Sequence, residues 1–162
     1  MSPFFSKTIR AIQLDPQLYL EVAQDKKALS TSLSIAFLSN ISAGIGASTG
    51  YPGKIPMNII TAFLGWFIWC ALVYLMGIKS FPAPGDKIKF WSILCFSGFA
   101  IAPGLLRFFA YLPPFSAIAF LGATIWTFGA MSVAIEKIFQ KRLLHAVGIN
   151  LIGWVIYEWF LW

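Results

Sequence analysis

Long apolar stretches alternate with short charged segments along the chain. Asp, Glu, Lys and Arg are missing from four long runs, at positions 28–53, 55–78, 90–106 and 108–135. A fifth apolar stretch follows near the carboxyl end. A helix needs about 20 mainly apolar residues to cross a hydrocarbon core of about 30 Å. The pattern therefore predicts an all-α, polytopic integral membrane protein with five transmembrane helices, at about residues 28–48, 57–77, 90–111, 114–135 and 144–162.

Residues 1–27 form a polar segment ahead of the first predicted helix. Apolar residues interleaved with Lys7 and Arg10 indicate a short amphipathic helix on the membrane surface. Asp15-Pro16 then begins a second helix, because Asp caps the first N–H groups and Pro needs no N–H partner there. We expect cytoplasmic or interfacial N-terminal helices, followed by a membrane domain at 28–162. No removable signal peptide is expected, since no apolar core precedes a cleavage site.

The composition is not that of a soluble domain. Hydrophobic residues make up 59% of the 162 positions and charged residues 11%, and the mean hydropathy is +0.77. Soluble domains are about 45–50% apolar and about 25% charged. The net charge of +6 comes from short cation clusters between apolar stretches, not from one basic face. Nucleic acid is therefore not an expected partner.

The distribution of cations over the predicted loops sets the expected orientation. Ten of the twelve Lys and Arg residues fall on one side of the membrane, and Lys54 and Arg107 fall on the other. Cytoplasmic loops carry an excess of Lys and Arg. We therefore expect a cytoplasmic amino terminus and an outside or lumenal carboxyl terminus. The expected location is an inner or other internal membrane.

Small and polar residues recur every fourth position in the first predicted span, at Ser32, Ala36, Asn40, Gly44 and Ser48. Helices in lipid pack through such faces because small side chains let two backbones approach closely. We interpret Asn40 and Gly44 as packing residues, with Asn40 able to hydrogen-bond to a neighbouring helix. The alternative is that Asn40 lines a polar cavity. A second small-residue face occurs in the fourth span, at Ala119, Ala123, Thr127 and Ala130.

The third predicted span is interrupted by Pro103-Gly104. Proline removes a backbone hydrogen bond and clashes with the preceding turn, so a kink or an early helix end is expected. Broken helices form binding sites in some transporters. Here we interpret Pro103-Gly104 as a packing feature or as the end of the helix. Arg107 and Glu158 fall at similar depth on the predicted non-cytoplasmic side. They either pair with each other or each reach separately to water.

The sequence offers no set of residues suited to catalysis. Cys70 and Cys95 lie inside apolar stretches and outside any CxxC spacing, so we interpret them as buried apolar residues. His145 has no partner in the sequence that would make it a catalytic base. Ionisable residues, which ion-coupled carriers hold near the midplane, are nearly absent from the predicted spans. We predict no catalytic, cofactor-binding or metal-binding residues and do not expect an enzyme.

Several stretches resemble a known family. The opening of bacterial Yip-domain proteins is similar to residues 11–16 (Ala-Ile-Gln-Leu-Asp-Pro), 21–25 and 44–46. That family's central hairpin is similar to residues 98–106, with Pro113 and Ile125-Trp126. The resemblance covers about residues 8–160 and implies a five-span protein with a cytoplasmic amino terminus. Eukaryotic relatives interact with small GTPases. This chain lacks their long amino-terminal arm and their Asp-Leu-Tyr-Gly-Pro motif, so small-GTPase binding is not carried over.

Two functions are compatible with these features. The favoured one is a non-enzymatic membrane scaffold acting through protein or lipid contacts in the bilayer, in one version as an accessory or assembly subunit of a larger complex. Its expected partners are membrane lipids and other membrane proteins or a second copy of the chain. The alternative is a small transporter or channel for an uncharged or lipid-like solute. Asn40, Asn150 and the break at Pro103 would then line its path.

Overall fold

The chain folds into a bundle of helices. The computed structural model describes residues 3–80, 88–140 and 142–161, and it describes side chains at 5–77, 88–140 and 142–156. The α-helices are α1 Pro3–Ile12, α2 Pro16–Gln24, α3 Ala28–Gly46, α4 Ile55–Ser80, α5 Phe90–Ala100, α6 Ser116–Phe139 and α7 Leu143–Leu161. More tightly wound 3₁₀ helices occur at Pro52–Lys54, Ala102–Tyr111 and Pro113–Phe115. The described ranges contain no strand, so the predicted all-α class is confirmed.

Several of these helices are suited to crossing a membrane. Three segments are long and apolar enough, namely Ala28–Gly46, Pro52–Gly77 and Pro113–Phe139. A fourth candidate is α5 with the 3₁₀ helix after it, a pair that bends by 46°. The described apolar part of α7, Leu143–Ile156, is shorter. The chain is an integral membrane protein, while the count of five spans and the orientation stay predictions. The predicted loop positions 81–87 and Lys141 lie outside the described residues.

α3 runs parallel to the segment formed by α5 and the following 3₁₀ helix. Hydroxyl groups on α3 and just beyond it donate to carbonyl oxygens of that segment: Ser32 to Leu94 and Cys95 at 2.7 and 2.8 Å, Ser39 to Ile101 at 2.8 Å, and Thr49 to Ala110 at 2.7 Å. Donors and acceptors advance along both segments together, so the two run in the same direction. The chain must cross back between them, and α4 provides that crossing.

The predicted break at Pro103 ends α5. The α-helix stops at Ala100, and a 3₁₀ helix of ten residues, Ala102–Tyr111, continues in a new direction. Runs of 3₁₀ helix longer than three or four residues are uncommon. Pro103 is buried at this bend, where its ring has no N–H to donate. Ser39 of α3 donates a hydrogen bond to the Ile101 carbonyl at the bend. A side chain of a neighbouring helix thus bonds a carbonyl oxygen at the point where the α-helix is interrupted.

Glycines let the backbone of α3 touch two neighbours. A Cβ at Gly44 would stand 2.6 Å from the backbone nitrogen of Ile59 in α4, and a Cβ at Gly46 would meet the carbonyl oxygen of Arg107. All five members of the small-residue stripe on α3 are buried. Ser48 at its end accepts a hydrogen bond from Asn58 Nδ2 at 2.9 Å. The stripe packs on α4 at Gly44 and on α5 at Ser32.

The N-terminal helices pack on the membrane bundle. α2 buries Leu18, Tyr19 and Val22, and it packs on α5 and α6. Trp126 Nε1, ten residues beyond the first residue of α6, donates to the Ile12 carbonyl at the end of α1 at 3.0 Å. α1 therefore ends beside the middle of α6, and its level in the bilayer stays a prediction.

An ion network joins α1 to α2. Arg10 Nε lies 2.7 Å from Asp15 Oδ2, and the two Nη atoms of Arg10 each lie 2.9 Å from an oxygen of Glu21. Hydrogen bonds from Arg10 hold the pKa of both carboxyl groups below their ordinary values. Asp15 also caps α2 by accepting from the Gln17 N–H at 3.0 Å. The predicted helix start at Asp15-Pro16 is confirmed.

Gly44→Ala is expected to destabilise the fold, because its methyl group would meet the backbone of Ile59. Overpacking of this kind costs about 1–3 kcal/mol. The matched control is Gly122→Ala in α6, where an added Cβ meets nothing within 4 Å. Thermal unfolding in detergent, followed by size exclusion of the remaining folded fraction, should give a lower Tm for Gly44→Ala alone. Equal Tm values would contradict the close packing of α3 on α4.

Candidate functional site: a cavity between α4 and α6

A cavity of about 580 Å³ lies between α4 and α6. Ligand pockets commonly measure about 300–1,000 Å³. Its walls are mainly apolar, with polar groups contributed by α3, α4, α6, α7 and the 3₁₀ helix after α5. Ile125 on its wall is 72% exposed, and Leu151 and Trp154 of α7 are also exposed. The cavity therefore opens sideways, on the surface that faces lipid in a membrane protein.

The cavity lies at the middle of the bundle and toward one end. Its lining in α4 runs from Asn58 to Trp69, and its lining in α6 runs from Phe120 to Met131. Each stretch begins near the helix end closer to the turn between α3 and α4 and ends just past the helix middle, since Ala110, which shortly precedes α6, is bonded to Thr49 in that turn. In the predicted orientation that end is the non-cytoplasmic one.

Asn150 of α7 ties three helices together at the inner end of the cavity. Its Oδ1 accepts from Trp69 Nε1 of α4 at 3.1 Å. Its Nδ2 donates to the Phe128 carbonyl at 2.9 Å and to Ser132 Oγ at 3.0 Å, both in α6. Polar side chains that bond between helices hold membrane bundles together. Asn150 therefore joins three helices by hydrogen bonds and also lines the cavity.

The 3₁₀ helix brings Arg107 to the cavity wall. The Arg107 Cζ atom lies 5.8 Å from the centre of the Phe120 ring, and Nε donates to Thr124 Oγ1 at a long 3.4 Å. Gly104 leaves room for this arrangement: a Cβ there would lie 3.2 Å from Arg107 Nη1 and would collide with Ser39 Oγ. A positive charge is therefore held among α6 side chains inside the bundle, where ionisable groups are rare and usually functional.

Two buried polar atoms of residues that line the cavity have no hydrogen-bond partner within the described part of the chain. They are Trp66 Nε1 in α4 and Thr127 Oγ1 in α6, and both residues are only 7% exposed. Each residue stands eleven positions beyond the first residue of its helix. Because both helices start from the same end of the bundle, the two residues lie at similar depth. Buried polar groups normally have partners.

Asn40 also lies on the wall. Its Nδ2 donates to the Ala36 carbonyl within α3 at 2.8 Å. A bond from Asn40 to a neighbouring helix, which the packing interpretation allowed, is not among its described bonds. The cavity position corresponds to the alternative that the sequence left open.

Other reactive side chains do not gather at this cavity. Cys70 and Cys95 are buried and unpaired with each other, and Cys70 Sγ lies 3.2 Å from Ser97 Oγ. Among the residues that the structure describes, no three of His, Cys, Asp and Glu are placed to hold a metal ion.

The sequence model of the Yip1 domain matches residues 9–161. The chain belongs to the Yip1 domain family. No curated protein and no solved structure matches it. The family resemblance inferred from the sequence is confirmed, and the helical bundle described above is a Yip1 domain.

The Yip1 domain brings together three of the residues singled out from the sequence. Asn40 and Arg107 line the cavity, and Gly104 stands beside Arg107. The side chain of Glu158 lies outside the described residues. Its pairing with Arg107 therefore stays a prediction.

Gly44 and Pro103 occupy different positions from these. Gly44 packs against α4, and Pro103 is buried at the bend that precedes Arg107. Sequence reasoning missed Trp66 as a wall residue and placed Thr127 only in a packing face. The available signal was Thr124 and Thr127, which lie one turn apart on α6 and so share a face.

Asn150→Ala is expected to destabilise the Yip1 domain by about 1–2 kcal/mol, because it leaves Trp69 Nε1 without its acceptor and removes the bonds from Asn150 to α6. Trp69→Phe removes the donor of one bond. The double variant should be less destabilised than the sum of the single variants, with a coupling of about 0.6 kcal/mol. Chemical unfolding in detergent measures all three. Strictly additive losses would show that the Trp69–Asn150 bond contributes nothing.

Proposed function

We propose that this Yip1-domain protein is a non-enzymatic membrane scaffold or accessory protein that works by holding a lipid between its helices. Its partners in this proposal are membrane lipids and other membrane proteins or a second copy of the chain. The observation that carries the proposal is the cavity between α4 and α6. It is large, mainly apolar and open on the lipid-facing side.

The shape of the cavity supports binding a lipid within the bilayer. A molecule from the surrounding membrane can enter sideways past Ile125 and Trp154 without crossing an aqueous phase. The walls beyond this opening are apolar side chains with a few polar groups, the usual design of a ligand pocket. The outer faces of the bundle carry exposed residues such as Phe37 and Leu121, which suit contact with lipid chains or with other membrane helices.

The closed inner end of the cavity favours holding a molecule over passing it through. The bonds of Asn150 to α4 and α6 lie at its inner end. Beyond that point α4 and α6 continue with buried residues such as Val73 and Ile135. A path through the protein would require these packed parts of α4 and α6 to separate.

Filling the cavity should remove the bound lipid. Ala62→Phe places a large ring inside the cavity, whereas Ala117→Phe, the matched control, adds the same ring to an exposed position on α6. Each tagged protein is purified in mild detergent and its retained lipids and proteins are identified by native mass spectrometry. The wild type and Ala117→Phe should retain about one lipid per chain, and Ala62→Phe should lose most of it. Equal retention by Ala62→Phe, or none by the wild type, would contradict the proposal.

A second candidate is a small transporter or channel for an uncharged or lipid-like solute. The observation that favours it is that Asn40 and Asn150 line the same cavity. In proteoliposomes this reading predicts that Asn40→Ala abolishes lipid or solute exchange between leaflets while the protein stays folded. If Asn40→Ala lowers only the Tm and leaves exchange at the protein-free level seen with the wild type, the scaffold function is supported.

A further inference from the structure

The turn between α1 and α2 lies level with the middle of the bundle. The Ile12 carbonyl at the end of α1 accepts a hydrogen bond from Trp126 Nε1 at 3.0 Å. Trp126 is the middle residue of the candidate span Pro113–Phe139. From this level α2 packs on α5 and α6, and only three residues separate its end from the start of α3. α2 therefore lies beside the half of the bundle that contains the start of α3, which we call the α2 half.

α2 presents a polar face to the outside of the α2 half. The side chains that it buries are Leu18, Tyr19, Val22 and Ala23. Its exposed side chains include Gln17, Glu21 and Gln24, and Gln13 is exposed in the turn before it. Residues three and four apart share one side of a helix. We call Gln17, Glu21 and Gln24 the α2 polar face.

Other outer surfaces of the α2 half are apolar. Leu33 and Phe37 in the first half of α3 are exposed, and so is Leu144 at the start of α7. These surfaces suit the hydrocarbon of a bilayer. The same hydrocarbon against the α2 polar face would leave amide and carboxylate groups without hydrogen bonds, at a high cost in free energy.

Ionised side chains stand beside the α2 polar face. Arg10 binds Asp15 and Glu21, yet the three side chains are 33%, 30% and 52% exposed. Lys7 also acts electrostatically on Glu21, so charges of both signs meet here. A second copy of the chain packed on this network would have to remove its water, which is costly. Water and zwitterionic head groups, which carry a phosphate and an ammonium group, provide partners for both signs.

We propose that the α2 polar face and the Arg10 network line a recess in the membrane, filled by water and zwitterionic phospholipid head groups. These enter from the leaflet at the start of α3, the cytoplasmic leaflet in the predicted orientation, and reach the level of Ile12. The bilayer is thinner on this side of the protein, as it is around other charged groups held within membranes. The recess adds a second lipid contact to the proposed scaffold and does not require a lipid in the cavity.

The test compares the surroundings of two positions in the α2 half. Gln17→Cys and Leu33→Cys each carry a nitroxide label, and each protein is reconstituted into phosphatidylcholine liposomes. The wild type, in which Cys70 and Cys95 are buried, gives the labelling background. Electron paramagnetic resonance measures relaxation of the label by a water-soluble nickel complex, by oxygen, and by nickel chelated on a lipid head group. Both forms of nickel should relax the label at Gln17→Cys several-fold more than the label at Leu33→Cys, where oxygen should dominate.

Leu33 is the matched control because it lies no deeper than Gln17. It stands five residues beyond the start of α3, whereas Gln17 stands seven residues before the end of α2. Equal relaxation of both labels by soluble nickel would place the α2 half outside the membrane and overturn the proposal. Relaxation of neither label by nickel would also overturn it. Dipolar coupling between Gln17→Cys labels would then identify a second copy as the occupant.

A variant that closes the recess gives an independent result. Gln13→Leu with Gln24→Leu should lower the nickel relaxation at Gln17→Cys several-fold, whereas Ser34→Leu, at an exposed position of α3, should leave it unchanged. Unchanged relaxation in the double variant would overturn the proposal. Relaxation at Gln17→Cys by soluble nickel alone would overturn the assignment of head groups as occupants. The proposed function is tested separately, by the lipid that the purified protein retains.

Discussion

The parallel contact between α3 and the segment from α5 to Tyr111 organises this bundle. Neither hydrophobic attraction nor charge can fix two helices side by side in lipid, so close backbone approach and hydrogen bonds must do so. Glycines at 46 and 98 remove the side chains that would keep the segments apart. Hydroxyl groups of Ser32, Ser39 and Thr49 then tie the two together along their length.

The same contact creates the cavity. After the break at Pro103, the 3₁₀ helix leans on α3 and α6, while α4 packs on the opposite side of α3 and on α7. α4 and α6 are joined through Asn150 at the inner end of the cavity. Arg107 follows the bend and lies beside Thr124 of α6. The segment after the interrupted helix therefore contributes a charged residue to the cavity wall.

Much of this fold can be derived from the sequence because lipid imposes strong rules on a chain. The lengths of the uncharged stretches predicted where the long helices lie, and Pro103 predicted where α5 ends. Local patterns could not show that α2 is covered by α5 and α6, since those helices come much later in the chain. They also could not identify Trp66, because a buried Trp in an apolar helix has the same local sequence whether or not its N–H is bonded.

The positions of the cavity residues could not be predicted from the sequence for a related reason. Asn40 lines a cavity whose other walls include α6 and α7, which come much later in the chain. For Arg107 the sequence left two alternatives open, a pair with Glu158 or separate contact with water. Neither alternative pointed to Phe120 and Thr124, the α6 residues beside which the structure places its side chain.

The docking of the N-terminal helices has a consequence for how the protein is made. Ile12 and its partner Trp126 are 114 positions apart, and the apolar face of α2 is covered by helices that emerge from the ribosome far later. During synthesis the apolar face of α2 stays exposed, or lies on the lipid surface, until α5 and α6 have entered the membrane. The amino terminus is therefore the first part of the chain to be translated and one of the last to reach its final place.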